Sequence, residues 1–236
     1  MDTPLVMGKG LEAYKVDINS KAEKMSSIEL DAFNWAVEGV TYELLIEAAP
    51  NKTPREVIRM GIANAKADIE QGMAPAEKAI AEFEEVRAEL QKITPSDIKF
   101  RQEKTYFGHM PRLDFNVTND SRYDVGTMHW IASIRVNEAE KFEATKALSM
   151  HYKNSTSLAM KKGQNYSEQY QIGHVSGDYN WTTQTILQAK TLDVTVKPDI
   201  EAIRDLEGNL ILPKSPYPRM DQLHRMSKAV ELYGSI

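Results

Sequence analysis

The spacing of apolar residues changes once along this chain, from a helical period to a period of two. Residues 11–25 set Leu11, Tyr14 and Ile18 among charges, which predicts a helix. Ser26-Ser27-Ile28-Glu29 then reads as a fresh N-cap with a carboxylate three positions on. The run to Ala49 places Ile28, Phe33, Ala36, Val37, Val40 and Leu44 near one face until Pro50 stops it. In "TPRE", residues 53–56, Thr53 is a cap, Pro54 takes the first helical position where its missing N–H costs nothing, and Glu56 closes a capping box. Gly72 and Pro75 punctuate the pattern. Ile80, Phe83, Val86 (or Arg87), Leu90 and Ile93 follow at spacings of three and four. The reading is two or three long antiparallel helices, with "TPSD" at 94–97 capping a last turn or kinking the third.

From Tyr106 the period becomes two. Leu113, Phe115 and Val117 alternate with Asp114, Asn116 and Thr118, a half-buried strand. After an Asn-Asp-Ser turn, Met128, Trp130, Ala132, Ile134 and Val136 alternate with His129, Ile131, Ser133 and Arg135. Further strands are predicted at 147–153, 165–173, 182–188 and 190–197, and "DLEGNLIL" at 205–212 reads as a turn at Gly208 into a final strand. Short strands at this spacing without intervening helices predict an antiparallel sandwich. After Pro213, Pro216 and Pro218, residues 219–233 predict a short helix with Met220, Leu223, Met226 and Val230 on one side, docked on the sandwich or on the helices. The expected fold is therefore α+β: an N-terminal helical hairpin or small bundle over 1–104, an antiparallel β-sandwich over 105–214, and a C-terminal tail with a short helix over 215–236.

Composition narrows the function classes. The chain has 236 residues, 42% of them apolar, enough for one sizeable core or two modest ones. Its net charge is −5, and its 29 Lys and Arg are spread without a basic block, which disfavours nucleic acid and an anionic lipid surface as partners. There is no cysteine, hence no disulfide, thiolate metal site or Cys nucleophile. No apolar run approaches the roughly 20 residues of a membrane span.

Catalytic patterns are sparse. None of His109, His129, His151, His174 and His224 stands at zinc-ligand spacing from another ligand. His129 and His151 lie on predicted strands and can converge in space. No G-x-S-x-G or S-x-x-K elbow occurs, and "HVSGDYNW" at 174–181 is read as a turn around Gly177-Asp178 rather than as a triad. The G-x-G at 8–10 lacks the strand before it and the helix after it that phosphate binding requires. Six sequons, at Asn51, Asn116, Asn119, Asn154, Asn165 and Asn180, read as turn chemistry or as glycosylation acceptors. No cofactor and no metal is expected. The aromatic residues gather in the sheet half, and Tyr166, Tyr170, Tyr179 and Trp181 are the candidate binding residues, an exposed patch for a partner if they stand out of phase with the core.

The order of these features carries a resemblance. "LDAFNWAVEGV" (30–40), "TPREVIRMGIANAKADIE" (53–70), "KTYFGHMPRLDFNVTNDSRYDVGTMHWIASI" (104–134) and "LDVTVKPDIEAIRDLEGNLIL" (192–212) together resemble a family of uncharacterised Gram-negative envelope lipoproteins. In that family small helices precede a sheet domain that opens with a strand-Asn-turn-strand hairpin. "KKGQNYSEQYQIG" (161–173) replaces the family's Gly-rich segment with its acidic turn, and the family's export signal and lipidated cysteine are absent here. The resemblance implies a periplasmic or outer-membrane-anchored protein, tethered to membrane only through an N-terminal lipid that this chain lacks. It carries no functional residue over. The expected function is non-enzymatic: a protein-interaction module whose partner meets the sheet or the long helices. Alternatives are an immunity-type protein that neutralises a toxin, and a hydrolase using His129 or His151 with a carboxylate. An apolar helical stripe shared between chains would also permit a homo-oligomer.

Overall fold

Local capping chemistry sets the helices. In the computed structural model, which describes residues 1–6, 9–106, 108–152, 159–172 and 179–236, Ser26 accepts from the Glu29 amide while the Glu29 carboxylate accepts from the Ser26 amide at 2.9 Å. That capping box starts α2 (Ser27–Val37), which follows α1 (Leu11–Ala22). The same reciprocal pair, Thr53 with Glu56 at 3.2 and 2.8 Å, starts α4 (Pro54–Leu90). The predicted run to Ala49 is broken. Gly39 takes φ +74°, a conformation that ends α2, and Thr41 caps a separate α3 (Tyr42–Ala48). Gly72 and Pro75 do not punctuate: α4 continues through both for 37 residues. A Cβ at Gly72 would lie 3.1 Å from Leu223 of the C-terminal helix α6 (Tyr217–Tyr233), so this glycine serves a close helix contact.

The chain forms two compact units, Met1–Ile80 with Ser215–Ile236, and Ala81–Lys214. In the first, Phe33, Leu45, Val57, Ile58 and Ile62 form a core from α2, α3 and α4. Ala76, Met220 and Leu223 form a smaller one between α4 and α6, which places the C-terminal helix on the helices.

The second unit is an antiparallel sandwich of two three-stranded sheets. One has the order β1-β2-β5, from β1 (Ile93–Thr105), β2 (Gly108–Asn119) and β5 (Asn165–Gln171). The other has the order β4-β3-β6, from β4 (Ala144–His151), β3 (Thr127–Val136) and β6 (Leu192–Pro198). Inward residues of both sheets share one core, in which Phe115 meets Trp130 edge to face at 5.3 Å.

Several expectations change here. Residues 94–97 belong to strand β1, not to a helix end. Pro95 is tolerated because β1 is an edge strand, and the register shifts between Ser96 and Lys99, where Asp97 takes φ +50°. The strands 113–118 and 128–136 do not form a hairpin. Their partners lie in different sheets, and the corner between them is fixed by buried Asn119 and Ser121. Asn119 Nδ2 donates to the Tyr123 and Met160 carbonyls at 2.9 Å, and its Oδ1 accepts from the Ser121 hydroxyl at 2.7 Å. The predicted strand at 182–188 is a 3-10 turn (Asn180–Thr182) followed by α5 (Gln184–Leu187), capped by Thr183. The final strand at 205–212 reduces to a bridge between Arg204 and Leu210. Gly8, Asn154, His174 and the turn at Gly177-Asp178 lie outside the described residues.

Candidate functional site

Small residues bring three helices of the first unit together around a groove of about 810 Å³. On α4, Gly61 and Ala65 fall four apart, hence on one face. A Cβ at Gly61 would sit 3.0 Å from that of Ala36, so α2 and α4 approach as closely as side chains allow. Its lining includes the small residues Ala36, Gly61, Ala65 and Ala67, the apolar Trp35 and Met226, and the polar Asn64 and Gln222. Trp35 is half-buried and held from behind by Tyr233, ring centroids 5.9 Å apart. Glu38, Asp68 and Arg225 also line it, and Asp68 pairs with Arg219 at 3.5 Å. Arg225 continues into a second depression with His224 and Lys228. A concavity of this size that combines an aromatic ring, a thioether, small residues and polar groups suits an amphipathic helix face. The sequence reading missed it. The legible signal was the spacing of Gly61 and Ala65 on a helix otherwise rich in long side chains.

The candidate aromatic residues lie elsewhere. Trp181 is fully buried in the sandwich core, and Tyr166 and Tyr170 point inward from β5. Tyr170 stacks on Phe115 at 5.8 Å, while the Tyr166 hydroxyl donates to the Ala159 carbonyl at 3.0 Å. Tyr179 alone of the four is well exposed. Tyr166 and Tyr170 are in phase with the core, and the four do not make one surface patch.

Between those two tyrosines stands Glu168, 2% exposed, on the inward face of the edge strand β5. Its Oε1 accepts from the Tyr152 hydroxyl at 2.5 Å. Its Oε2 and the Tyr170 hydroxyl are buried without a bonded partner among the described residues. Burial pushes the Glu168 carboxyl up, against the lowering effect of the bond from the Tyr152 hydroxyl. Burial also pushes both tyrosines up, with the Glu168 charge adding to the shift. The sequence carried this cluster as Tyr166, Glu168 and Tyr170 at alternate positions of one strand.

His129 and His151 both lie on the outward face of the β4-β3-β6 sheet. The His151 Nδ1 is 3.0 Å from the Thr127 hydroxyl, and the residue shares a 160 Å³ pocket with Asp205 and Glu207. Asp205 is engaged in its own turn. Although partial burial opposes it, bonds from the Asn209 amide at 2.8 Å and neighbouring groups hold its carboxyl below the usual range. Among the described residues no group of three His, Asp or Glu could hold a metal ion. No helix among them is long and apolar enough to cross a membrane. Of the sequons, Asn119 is fully buried and bonded, so it is closed to glycosylation in the folded chain. Asn116 donates to Asp97 at 2.9 Å, which is turn and bulge chemistry. Comparison with protein-family models, with curated proteins and with solved structures gives no match.

Proposed function

We propose that this chain is a non-catalytic protein-interaction module of a bacterial envelope, and that its partner inserts a helix face into the groove between α2, α4 and α6. The observation that supports this reading is the groove itself, whose lining joins Trp35, Met226 and small residues to the polar Asn64 and Gln222 and the charged Glu38, Asp68 and Arg225, a mixed surface that an amphipathic helix face matches. The envelope location rests on the sequence resemblance alone.

Ala67 is exposed in the groove, so Ala67→Trp fills it without disturbing a core. Wild type, Ala67→Trp and a control, Ala147→Trp on the outward sheet face, are immobilised and offered an envelope extract. A protein retained by wild type and by the control but lost with Ala67→Trp supports the groove. Retention indifferent to Ala67→Trp removes it.

A hydrolytic role is the second reading, favoured by the pocket that His151 shares with Asp205 and Glu207. It requires turnover of ester or glycoside reporters that His151→Ala abolishes.

A further inference from the structure

The groove has a match on the same chain. Residues 25–51 contain five carboxylates, Glu29, Asp31, Glu38, Glu43 and Glu47, and no Lys or Arg. Glu29 is taken up by its cap and by Arg55 at 3.7 Å. Glu43, Leu44, Glu47 and Ala48 are exposed on α3 while Leu45 is buried, and exposed Val40 lies just before the helix cap Thr41. Leu44 is 54% exposed and Val40 40%. This is a short aliphatic ridge with two carboxylates along it.

The groove margin on α6 carries the opposite charge. Arg225 and Lys228 are exposed on one side of that helix with Leu232, which is 58% exposed. Asp221 lines the same depression as Arg225 and Lys228, so that depression carries two cations against one carboxylate. Among the described residues neither Glu43, Glu47, Arg225 nor Lys228 makes an ion pair or side-chain hydrogen bond. Elsewhere the chain pairs its charges readily, as in Arg101 with Asp114 at 2.7 Å and Arg112 with Glu103 at 2.7 Å.

Building on the groove reading above, we infer that the occupant of the groove is a second copy of this chain, which lays its α3 ridge against Trp35 and Met226. Leu44 and Val40 supply the apolar contact, and Glu43 and Glu47 turn toward Arg225 and Lys228. Each copy offers one ridge and one groove, and the dimer proposed is the two-fold arrangement in which both are used. Complementary charge then sets register and partner choice.

Sedimentation and light scattering of the full chain over a wide concentration range test the inference. Wild type is expected to dimerise, with a dissociation constant that rises with salt. Glu43→Lys/Glu47→Lys and Arg225→Glu/Lys228→Glu each weaken the dimer by at least about tenfold. The fourfold variant combining both reversals restores it. Ala67→Trp, which blocks the groove, also gives a monomer. Circular dichroism verifies that each variant is folded. A wild type that stays monomeric overturns the inference and leaves the groove open to a different protein, which the extract experiment decides separately. A dimer that survives both charge reversals, or a fourfold variant that does not recover, overturns it equally.

Discussion

Between Ala81 and Lys214 the chain takes Phe115, Trp130, Trp181 and one carboxyl inside and pairs several outward charges across strands. In the helical unit, aliphatic side chains and carboxylates of α3 face outward without partners. The sandwich has Trp130 and Trp181 at zero exposure and Glu168 beneath two tyrosines, while its outer face joins Arg101 to Asp114 and Arg135 to Asp193. The helical unit buries Phe33 and Ile58 but leaves Val16 at 70% and Leu44 at 54% exposure. Both units leave large apolar side chains outside, the sandwich Tyr179 at 60% and Leu210 at 50%, so what sets α3 apart is exposed Leu44 beside two carboxylates that make no ion pair among the described residues.

The comparison breaks most readily at Trp130. It packs edge to face on Phe115 and sits opposite both neighbours of the central strand. Trp130→Ala is expected to cost about 3–5 kcal/mol, the range for a large aromatic lost from a packed core. Chemical denaturation gives the number, and a loss under about 1 kcal/mol would contradict the packed sandwich. Next comes Asn119, whose amide holds the corner where the chain passes between sheets. Asn119→Ala leaves the Tyr123 and Met160 carbonyls without these donors and should cost about 2–3 kcal/mol by the same measurement.

Glu168 adds a pH dimension. A carboxyl whose folded pKa is raised binds its proton more tightly folded than unfolded. Its stabilising contribution is therefore present in full below the ordinary carboxyl pKa and is lost as pH rises through the raised folded value. Glu89 works in the opposite sense. The Lys92 ammonium and the Arg122 amide hold its carboxyl low, so its contribution disappears as pH falls. The difference in stability between wild type and Glu168→Gln isolates the first effect. It is expected to shift in favour of Glu168→Gln as pH rises above the ordinary carboxyl range. A difference independent of pH would mean that Glu168 titrates alike in both states.

The helix starts were legible because capping is local: Ser26 with Glu29 and Thr53 with Glu56 involve neighbours only. Strands β2 and β3 were legible for a similar reason, since alternation of Leu113, Phe115 and Val117 needs no partner to be seen. Their pairing was not. A turn such as Asn119-Asp120-Ser121 specifies a change of direction, and only the long-range bonds from Asn119 to Met160 decide that the next strand enters the other sheet. β1 was hidden because an edge strand tolerates Pro95 and a dense run of charge that reads as a helix end. Trp181 was misplaced because a 3-10 turn gives no period from which to read a face. The groove depends on three helices that are distant in sequence, so Gly61 and Ala65 are visible as small residues but not as part of its lining.

The smallest predicted effect is also the one that sharpens the comparison furthest. Leu44→Ser removes an apolar side chain from a helix, a change that in a core costs several kcal/mol. At an outward position it should leave the stability of the monomer within about 0.5 kcal/mol. The neighbouring Leu45, 7% exposed and packed in the helical core, is the internal control. Leu45→Ala is expected to cost about 2–4 kcal/mol in the same denaturation series. If the two adjacent leucines lose comparable stability, α3 has no outward apolar ridge, and the contrast between the two units disappears with it. If Leu44→Ser is neutral to folding, the leucine is held on the surface for something other than the fold of its own chain.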